Sequence, residues 1–189
     1  MTHMSLADFE ARYRCDGDPW SYETSPYEHA KYAATLDACG SGPFREALEL
    51  GSSIGVLSEL LAPRCARLTT VDGAPTAVAA ARRRLAGRGG IDIILGAIPE
   101  AIPTRSYDLI VASEILYYLG AAELEATFDR LRECSDAGAR LVAVHWRPEG
   151  PERPATADDV HRMLHAQPWL SAAGEASTDE YLLDAFTVR

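Results

Sequence analysis

Short apolar runs that alternate with helical segments restrict the fold of this chain more than any other feature. Runs typical of buried strands cover residues 44–50, 67–71, 91–95, 107–113, 140–146 and 181–188. Segments with helical spacing lie between them, at residues 55–62, 75–85, 121–134 and 157–165. Strands separated by helices in this way form βαβ units, and continuously apolar strands are covered on both faces. The sequence therefore predicts an α/β fold with a doubly wound, mostly parallel sheet and helices on both faces.

The segment ahead of the first strand has a different character. It is rich in tyrosine, contains Trp20, and predicts helices with a break at Asp18-Pro19. A helical stretch at residues 27–39 is followed by Gly-Ser-Gly-Pro at residues 40–43, which is a strong loop signal. We therefore divide the chain into an N-terminal helical segment, residues 1–43, and an α/β domain, residues 44–189.

The charge balance limits what the chain can bind. The formal net charge is -10, from 18 Lys and Arg against 28 Asp and Glu. Nucleic-acid affinity comes largely from basic residues that neutralise phosphates, so we expect no nucleic-acid partner and a neutral or cationic small molecule instead. The apolar runs are far shorter than the roughly 20 residues of a membrane helix, and the N-terminus lacks the apolar core of a signal peptide. These features predict a cytoplasmic protein without a membrane partner.

Polar and glycine residues follow the strands, at the sheet edge where α/β proteins bind ligands. After the first strand the chain reads Glu49-Leu50-Gly51-Ser52-Ser53-Ile54-Gly55. This GxxxG spacing differs from the GxGxxG of dinucleotide-binding proteins, which disfavours an NAD-dependent oxidoreductase. Asp72 ends the second strand, where a carboxylate accepts hydrogen bonds from both ribose hydroxyls of a nucleoside. An alternative role for Asp72 is a turn or helix cap before Pro75.

Two further strand ends carry candidate binding residues. The third is followed by Gly96-Ala97-Ile98, and the fourth by a carboxylate and two tyrosines in the run Ser113-Glu114-Ile115-Leu116-Tyr117-Tyr118. We favour a binding role for this second run; in the alternative, the tyrosines cover an apolar edge and Glu114 is solvated.

The runs ALELGSSIGVLSELLAPRCARLTTVD, YDLIVASEILYYLG and GARLVAVHWR resemble class I S-adenosylmethionine-dependent methyltransferases. The opening DPWSYETSPYEHAKY and the run SEILYYL are similar to the nodulation protein S branch, which N-methylates the exposed amine of a deacetylated chitooligosaccharide. The resemblance covers about residues 10–189. It implies a seven-stranded, mostly parallel sheet with an antiparallel C-terminal strand, and a helical cap, residues 1–43, over the cofactor site.

The resemblance also implies S-adenosylmethionine as cofactor, S-adenosylhomocysteine as product, and no metal. Its motifs match a set of cofactor-binding positions: Glu49, Gly51, Ser52, Ser53 and Gly55 for the methionine portion, Asp72 for the ribose, and Gly73, Ala97 and Ile98 around adenine. To this set we add Tyr22 and Tyr32 as contacts from the cap, and Ser113, Glu114 and Ile115 after the fourth strand. Ala97 departs from the family, which has an Asp there that accepts from the adenine amine.

Two residues are candidates for the chemistry of methyl transfer. An amine must be neutral to attack the methyl group, so a nearby proton acceptor would help. His145 ends the fifth strand and titrates in the right range, so we expect it to be that base; a half-buried structural histidine is equally compatible. Glu114 could anchor a cationic amine instead. His161 and His165 share one helix face, which we interpret as a surface stripe rather than a metal site.

Three functions remain open from the sequence. The first is N-methylation of an amino sugar or a related amine. The second is O-methylation of a hydroxylated natural product, although no metal-binding carboxylate set is evident. The third is a cofactor-binding scaffold without turnover, for which Ala97 is the one argument. The Pro-rich, charged stretch at residues 147–157 follows the fifth strand, and there we expect the acceptor pocket to be completed.

Overall fold

The chain folds around a seven-stranded sheet in the computed structural model, which describes residues 4–148, 150 and 152–189. The strands are β1 (Phe44–Leu50), β2 (Cys65–Asp72), β3 (Ile91–Leu95), β4 (Tyr107–Ser113), β5 (Ser135–Trp146), β6 (Leu170–Glu175) and β7 (Tyr181–Val188). The helices are α1 (Leu6–Cys15), α2 (Pro26–Cys39), α3 (Val56–Leu61), α4 (Pro75–Arg84), α5 (Ala121–Glu133) and α6 (Ala157–His165).

The strand order is β3-β2-β1-β4-β5-β7-β6. The first five strands are parallel, and β7 runs antiparallel to both β5 and β6. This confirms the predicted mostly parallel sheet of seven strands with an antiparallel C-terminal strand. The strand order reverses between β1 and β4, where Leu50 lies beside Ala112. Open α/β sheets bind their ligands outside the carboxyl ends of the strands at such a reversal.

The central strands are buried because both faces of the sheet are covered. On β1, Leu48 and Leu50 belong to the apolar core on one face, while Ala47 belongs to the core on the other. On β4, Ile110 belongs to the same core as Leu48, and Leu109 belongs to the same core as Ala47. Alternate residues of a strand point to opposite faces, so the continuous apolar runs supply both cores at once.

Strands β6 and β5 differ from the expectation. Strand β6 has no counterpart among the predicted strands, since its sequence LSAAGE contains one large apolar residue and is mostly exposed. Strand β5 begins at Ser135 instead of residue 140, because the polar stretch with Gly138 at φ +81° extends the strand without an apolar signal.

The N-terminal segment forms two capped helices that pack on the sheet and on α4. Ser5 caps α1 with a capping box, and Ser25 caps α2. Between them, the Asp18 carboxylate accepts from the backbone amides of Tyr22 and Glu23, at 2.8 and 2.9 Å. The break predicted at Asp18-Pro19 is therefore a turn held by a side chain. No helix in the described part of the chain is long and apolar enough to cross a membrane.

Candidate functional site

A cavity of about 350 Å³ lies outside the carboxyl ends of β1, β2 and β4. Its walls combine the loops after these strands with the N-terminal segment. The sequence-predicted residues among its lining are Tyr22, Gly51, Ser53, Asp72, Gly73, Ala97, Ile98, Ser113, Glu114 and Ile115. The topology thus brings together loops that lie far apart in the sequence.

The loop after β1 is bound to Asp72 by backbone hydrogen bonds. Gly51 and Ser53 both have left-handed backbones, with φ +72° and +50°, which turns the chain sharply at the strand end. In this conformation the Ser53 amide donates to Asp72 Oδ2 at 2.8 Å, and the Ala74 amide donates to Oδ1 at 2.9 Å. Burial raises the pKa of Asp72, and these amides oppose the rise. The carboxylate is thereby fixed at the cavity wall with lone pairs left to accept further donors.

Gly55 has a supporting role one turn further along. It does not belong to the cavity lining; a Cβ there would lie 3.1 Å from Ala81 Cβ, so it lets α3 approach α4 closely.

Aromatic residues of the N-terminal segment line the cavity, and most of them have no specific signal in the sequence that would predict this role. The Tyr13 hydroxyl lies 2.5 Å from Ser53 Oγ. The Phe9 ring meets the Tyr118 ring edge-on at 4.8 Å, and Trp20 lies 5.4 Å from Tyr13. An aromatic wall of this kind gives a flat, apolar surface for a planar ligand.

A narrow branch of about 20 Å³ adjoins the cavity beside α2, and the two share Tyr22, Gly51 and Glu114 among their lining residues. Glu28, Tyr32, Glu49 and Ser52 are among its lining residues. The Oε2 atom of Glu28 and the Oγ atom of Ser52 are buried and have no hydrogen-bond partner within the described structure. Buried polar atoms are nearly always paired in folded proteins. The branch therefore has two unmet polar groups and room for a group about the size of an ammonium or a water molecule.

Glu49 also lines this branch and is 1% exposed. Its Oε2 accepts from the Ser58 hydroxyl at 2.5 Å. Burial raises the pKa of Glu49 to about 7, with the Asp72 charge adding to the rise. A sequence reading of the loop identifies this carboxylate but not its unusual titration.

Glu114 joins three elements at the cavity wall. Its backbone has φ +56°, a rare conformation for a residue other than glycine. Lys31 Nζ of α2 donates to Glu114 Oε1 at 2.6 Å and to Glu28 Oε1 at 3.0 Å. The Tyr117 hydroxyl and, at 2.9 Å, the Trp146 amide donate to Glu114 Oε2. Strain that is held by several partners is typical of functional sites.

Lys31 is the only lysine of the chain, and its side chain is 1% exposed. It lies between two carboxylates, so the group of three has a net charge of minus one when all are ionised. Sequence reasoning missed Lys31 and Glu28, because their contacts to Glu114 depend on how α2 packs against the sheet.

His145 lies elsewhere than expected for a base. It is fully buried and is not among the cavity-lining residues. Its Nε2 accepts from the Leu116 amide at 3.2 Å, and its Nδ1 lies 3.0 Å from His161 Nε2. With both ring nitrogens engaged, the side chain has no free nitrogen to meet a substrate, and we assign His145 no base role.

The prediction of a surface stripe at His161 and His165 is wrong for His161. This residue is 3% exposed, and its Nδ1 lies 2.7 Å from Asp184 Oδ2. His165 is exposed, and its Nε2 approaches the same oxygen at 3.0 Å. Both rings turn toward Asp184 because β7 places this carboxylate beside α6. The described residues contain no cluster of three or more His, Cys, Asp or Glu side chains arranged to hold a metal ion.

The stretch predicted to complete the acceptor pocket includes residues that the structure does not describe. Glu149 and Pro151 lie outside the described residues. Arg153 places its guanidinium over the rings of Tyr117 and Trp146, at 4.6 and 5.0 Å. Trp146 remains 41% exposed beside Glu114.

The residues present fit a nucleoside joined to an amino acid. Asp72 can accept from a ribose diol, while Ala97, Ile98 and Ile115 give apolar walls for a base. The branch has room for the ammonium of an α-amino acid, from which the unpaired Glu28 and Ser52 oxygens can accept hydrogen bonds. S-Adenosylmethionine has all of these parts.

The chain is similar to characterised proteins of one kind. A family model described as Nodulation protein S (NodS) matches residues 7–141. Nodulation protein S of Rhizobium tropici is 35% identical over 127 residues, which are 66% of this chain and 53% of that protein. Nodulation protein S of Sinorhizobium fredii (strain NBRC 101917 / NGR234) is 36% identical over 103 residues, 54% of this chain and 48% of that protein. The matched part thus spans about half the length of these curated relatives.

A solved structure is similar over nearly the whole chain. The N-methyltransferase NodS from Bradyrhizobium japonicum WM9, in complex with S-adenosyl-L-homocysteine, superposes with a TM-score of 0.88 and 26% identity. The superposition covers 98% of this chain and 99% of that one.

Proposed function

Because the chain belongs to the Nodulation protein S family, we propose that it is an S-adenosylmethionine-dependent methyltransferase that N-methylates an amino sugar or a related small amine. The observation that supports this most is the cavity itself. At one edge of the sheet it combines the Asp72 carboxylate, the branch with its unpaired polar atoms, and the Glu114 carboxylate. The bound cofactor would supply an activated methyl group, so the protein has to align the acceptor and exclude water.

In this proposal the cofactor-binding residues are those that surround the cavity and its branch. Asp72 holds the ribose hydroxyls, and Gly73, Ala97, Ile98 and Ile115 enclose the adenine. Gly51, Ser52, Ser53, Glu49 and Tyr32 surround the methionine portion, to which we add Glu28 from α2. Tyr22 lies at the junction of the cavity and the branch. Residues 1–43 act as the cap, since Phe9, Tyr13 and Trp20 cover the cavity from that side.

Glu114 orients the amine in our proposal, with Ser113 beside it. Its carboxylate is held by Lys31, Tyr117 and the Trp146 amide, so it keeps one position while Oε1, which accepts only from Lys31, can still accept another hydrogen bond. The net negative charge of Glu28, Lys31 and Glu114 favours a cationic or hydrogen-bonding amine over an anionic acceptor. The acidic surface of the whole chain acts in the same direction.

Acceptor turnover tests this proposal. The wild type is incubated with S-adenosylmethionine and either glucosamine oligomers or their fully N-acetylated counterparts, and release of S-adenosylhomocysteine is measured. We expect turnover with the free amines alone. Turnover only with phenolic hydroxyl acceptors would favour O-methylation, and cofactor binding without turnover of either class would favour a scaffold.

The Glu114→Gln variant tests the role of the carboxylate. We expect kcat/KM for the amine to fall by roughly tenfold to a hundredfold, since hydrogen bonds to charged groups contribute about 1.5–3 kcal/mol. The affinity for S-adenosylhomocysteine should stay within threefold of wild type. An equal loss in both quantities would instead make Glu114 a cofactor-binding or structural residue.

A further inference from the structure

A buried chain of side chains runs from the surface of α6 to the wall of the cavity. His165 Nε2 lies 3.0 Å from Asp184 Oδ2, His161 Nδ1 lies 2.7 Å from the same oxygen, and His161 Nε2 lies 3.0 Å from His145 Nδ1. The last link is the Leu116 amide, which donates to His145 Nε2. Of these side chains, His145, His161 and Asp184 are 0%, 3% and 7% exposed.

The direction of every hydrogen bond in this chain follows from its two ends. The Leu116 amide can only donate, so His145 Nε2 carries no proton and a neutral His145 is protonated on Nδ1. That proton is donated to His161 Nε2, so a neutral His161 is likewise protonated on Nδ1. The Asp184 carboxylate can only accept, and it receives this second proton together with the N–H of His165.

A single additional proton on the histidine pair breaks this arrangement. A proton on His145 Nε2 would face the Leu116 amide, donor against donor. A proton on His161 Nε2 would force the His145 proton onto Nε2, with the same result. In either case the Leu116 amide loses its buried acceptor, which is costly in the interior of a protein.

Leu116 begins the 3₁₀ turn that shapes one wall of the cavity. Leu116–Tyr118 follows Glu114 directly, the Tyr117 hydroxyl donates to Glu114, and the Tyr118 ring lies in the cavity wall against Phe9. We propose that Asp184, acting through His161 and His145, is a positioning residue that fixes this turn, so that the site is assembled only while the histidine pair is neutral. The inference rests on the proposed function for its effect on binding, but not for its tautomers.

The cationic groups near His145 act in the same direction as burial. Lys31 of α2 and Arg153 lie close enough for their charges to act on His145, and the Tyr117 ring meets the His145 ring edge-on at 5.0 Å. The Glu114 carboxylate is also near, since it accepts from the backbone amide of Trp146, the residue after His145. Burial, followed by the charges of His161, Lys31 and Arg153, lowers the pKa of His145 well below its ordinary value. The lowered pKa keeps the His145 ring itself neutral at neutral pH.

The tautomers can be measured directly in the wild type. Two-bond ¹⁵N–¹H correlation spectra of ¹⁵N-labelled protein at pH 8, assigned with H145Q and H161Q, should show both neutral rings protonated on Nδ1. His145 protonated on Nε2, or titrating with a midpoint near 6.5, would overturn the proposal. This result does not depend on whether the protein binds S-adenosylhomocysteine.

A matched pair of variants tests the positioning role. Asp184→Asn keeps an oxygen acceptor for both histidines, whereas Asp184→Ala removes this acceptor. Both variants lack the negative charge of the Asp184 carboxylate. We expect Asp184→Ala to weaken S-adenosylhomocysteine binding about fivefold to tenfold at pH 7, with a larger loss on acidification to pH 6, and Asp184→Asn to bind within twofold of wild type. Equal losses in the two variants, or none in folded Asp184→Ala, would overturn the proposal. Failure of wild type to bind would count against the proposed function instead.

Discussion

Asp72 illustrates how one carboxylate serves both the fold and the proposed cofactor site. Its two oxygens accept from the Ser53 and Ala74 amides, which leaves the remaining lone pairs facing the cavity. In Asp72→Asn one of these amides would meet an NH₂ group instead of an oxygen. We expect the affinity for S-adenosylhomocysteine to fall roughly tenfold to a hundredfold, because hydrogen bonds to a charged acceptor contribute about 1.5–3 kcal/mol.

The control for this variant is Asp92→Asn. Asp92 carries the same change on the exposed face of β3, where it pairs with Arg67 and Arg105. Isothermal titration calorimetry should give wild-type affinity for the control. Unchanged affinity in Asp72→Asn would remove Asp72 from the site.

Glu49 makes the stability of the unliganded protein depend on pH in an unusual direction. Its pKa is raised from about 4.5 to about 7 in the folded state by burial, so the folded protein holds this proton more tightly than the unfolded chain. The free energy of unfolding should therefore fall as pH rises from about 4.5 to 7, by up to roughly 3 kcal/mol from this residue.

Glu49→Gln should remove this dependence. Its amide oxygen can still accept from Ser58, so we expect urea unfolding to show a variant more stable than wild type above pH 7 and similar to it near pH 5. Glu125→Gln, an exposed change on α5, should follow the wild-type curve. A Glu49→Gln variant that is less stable than wild type at pH 8 would contradict the assignment.

At the scale of elements, the docking of α2 depends on a buried ion network. Lys31 of α2 binds Glu114 after β4 and Glu28 of its own helix, and all three side chains are largely buried. Removal of one partner of a buried pair leaves an uncompensated charge, which costs about 3–5 kcal/mol. We expect Lys31→Met to lower the free energy of unfolding by about 3 kcal/mol.

Arg162→Met is the matched comparison for this change. Arg162 pairs with Asp159 in an exposed position on α6, where ion pairs contribute about 0–1 kcal/mol. Chemical denaturation of both variants at pH 7 should separate them clearly. Similar small losses would mean that Lys31 does not hold α2 in place.

At the scale of the whole molecule, the sequence predicts the strands in the centre of the sheet better than the edge strand β6. Strands β1, β4 and β7 begin and end where the apolar runs do, because burial on both faces leaves a continuous signal. Strand β6 has no such signal, since its side chains are mostly exposed. An edge strand is specified by pairing to β7, which no local pattern reveals.

The candidate site likewise contains residues that the sequence predicts and contacts that it does not. The glycine loop and Asp72 could be predicted because the turn chemistry is local and its spacing is fixed by one βαβ unit. The contacts of Lys31 with Glu114 and of Asp184 with His161 could not, because they join segments far apart in the sequence. The tyrosine-rich opening indicated a cap, but which rings face the cavity depends on the packing of α1.

Calorimetric titration of the wild type with S-adenosylhomocysteine, S-adenosylmethionine and NAD tests the central claim most directly. The cavity offers a ribose acceptor at Asp72 and a branch for an amino-acid end, but a GxxxG loop instead of the dinucleotide pattern. We expect micromolar binding of both sulfur nucleosides and no heat with NAD. Folded protein that binds neither, or that binds NAD, would contradict the proposed methyltransferase function.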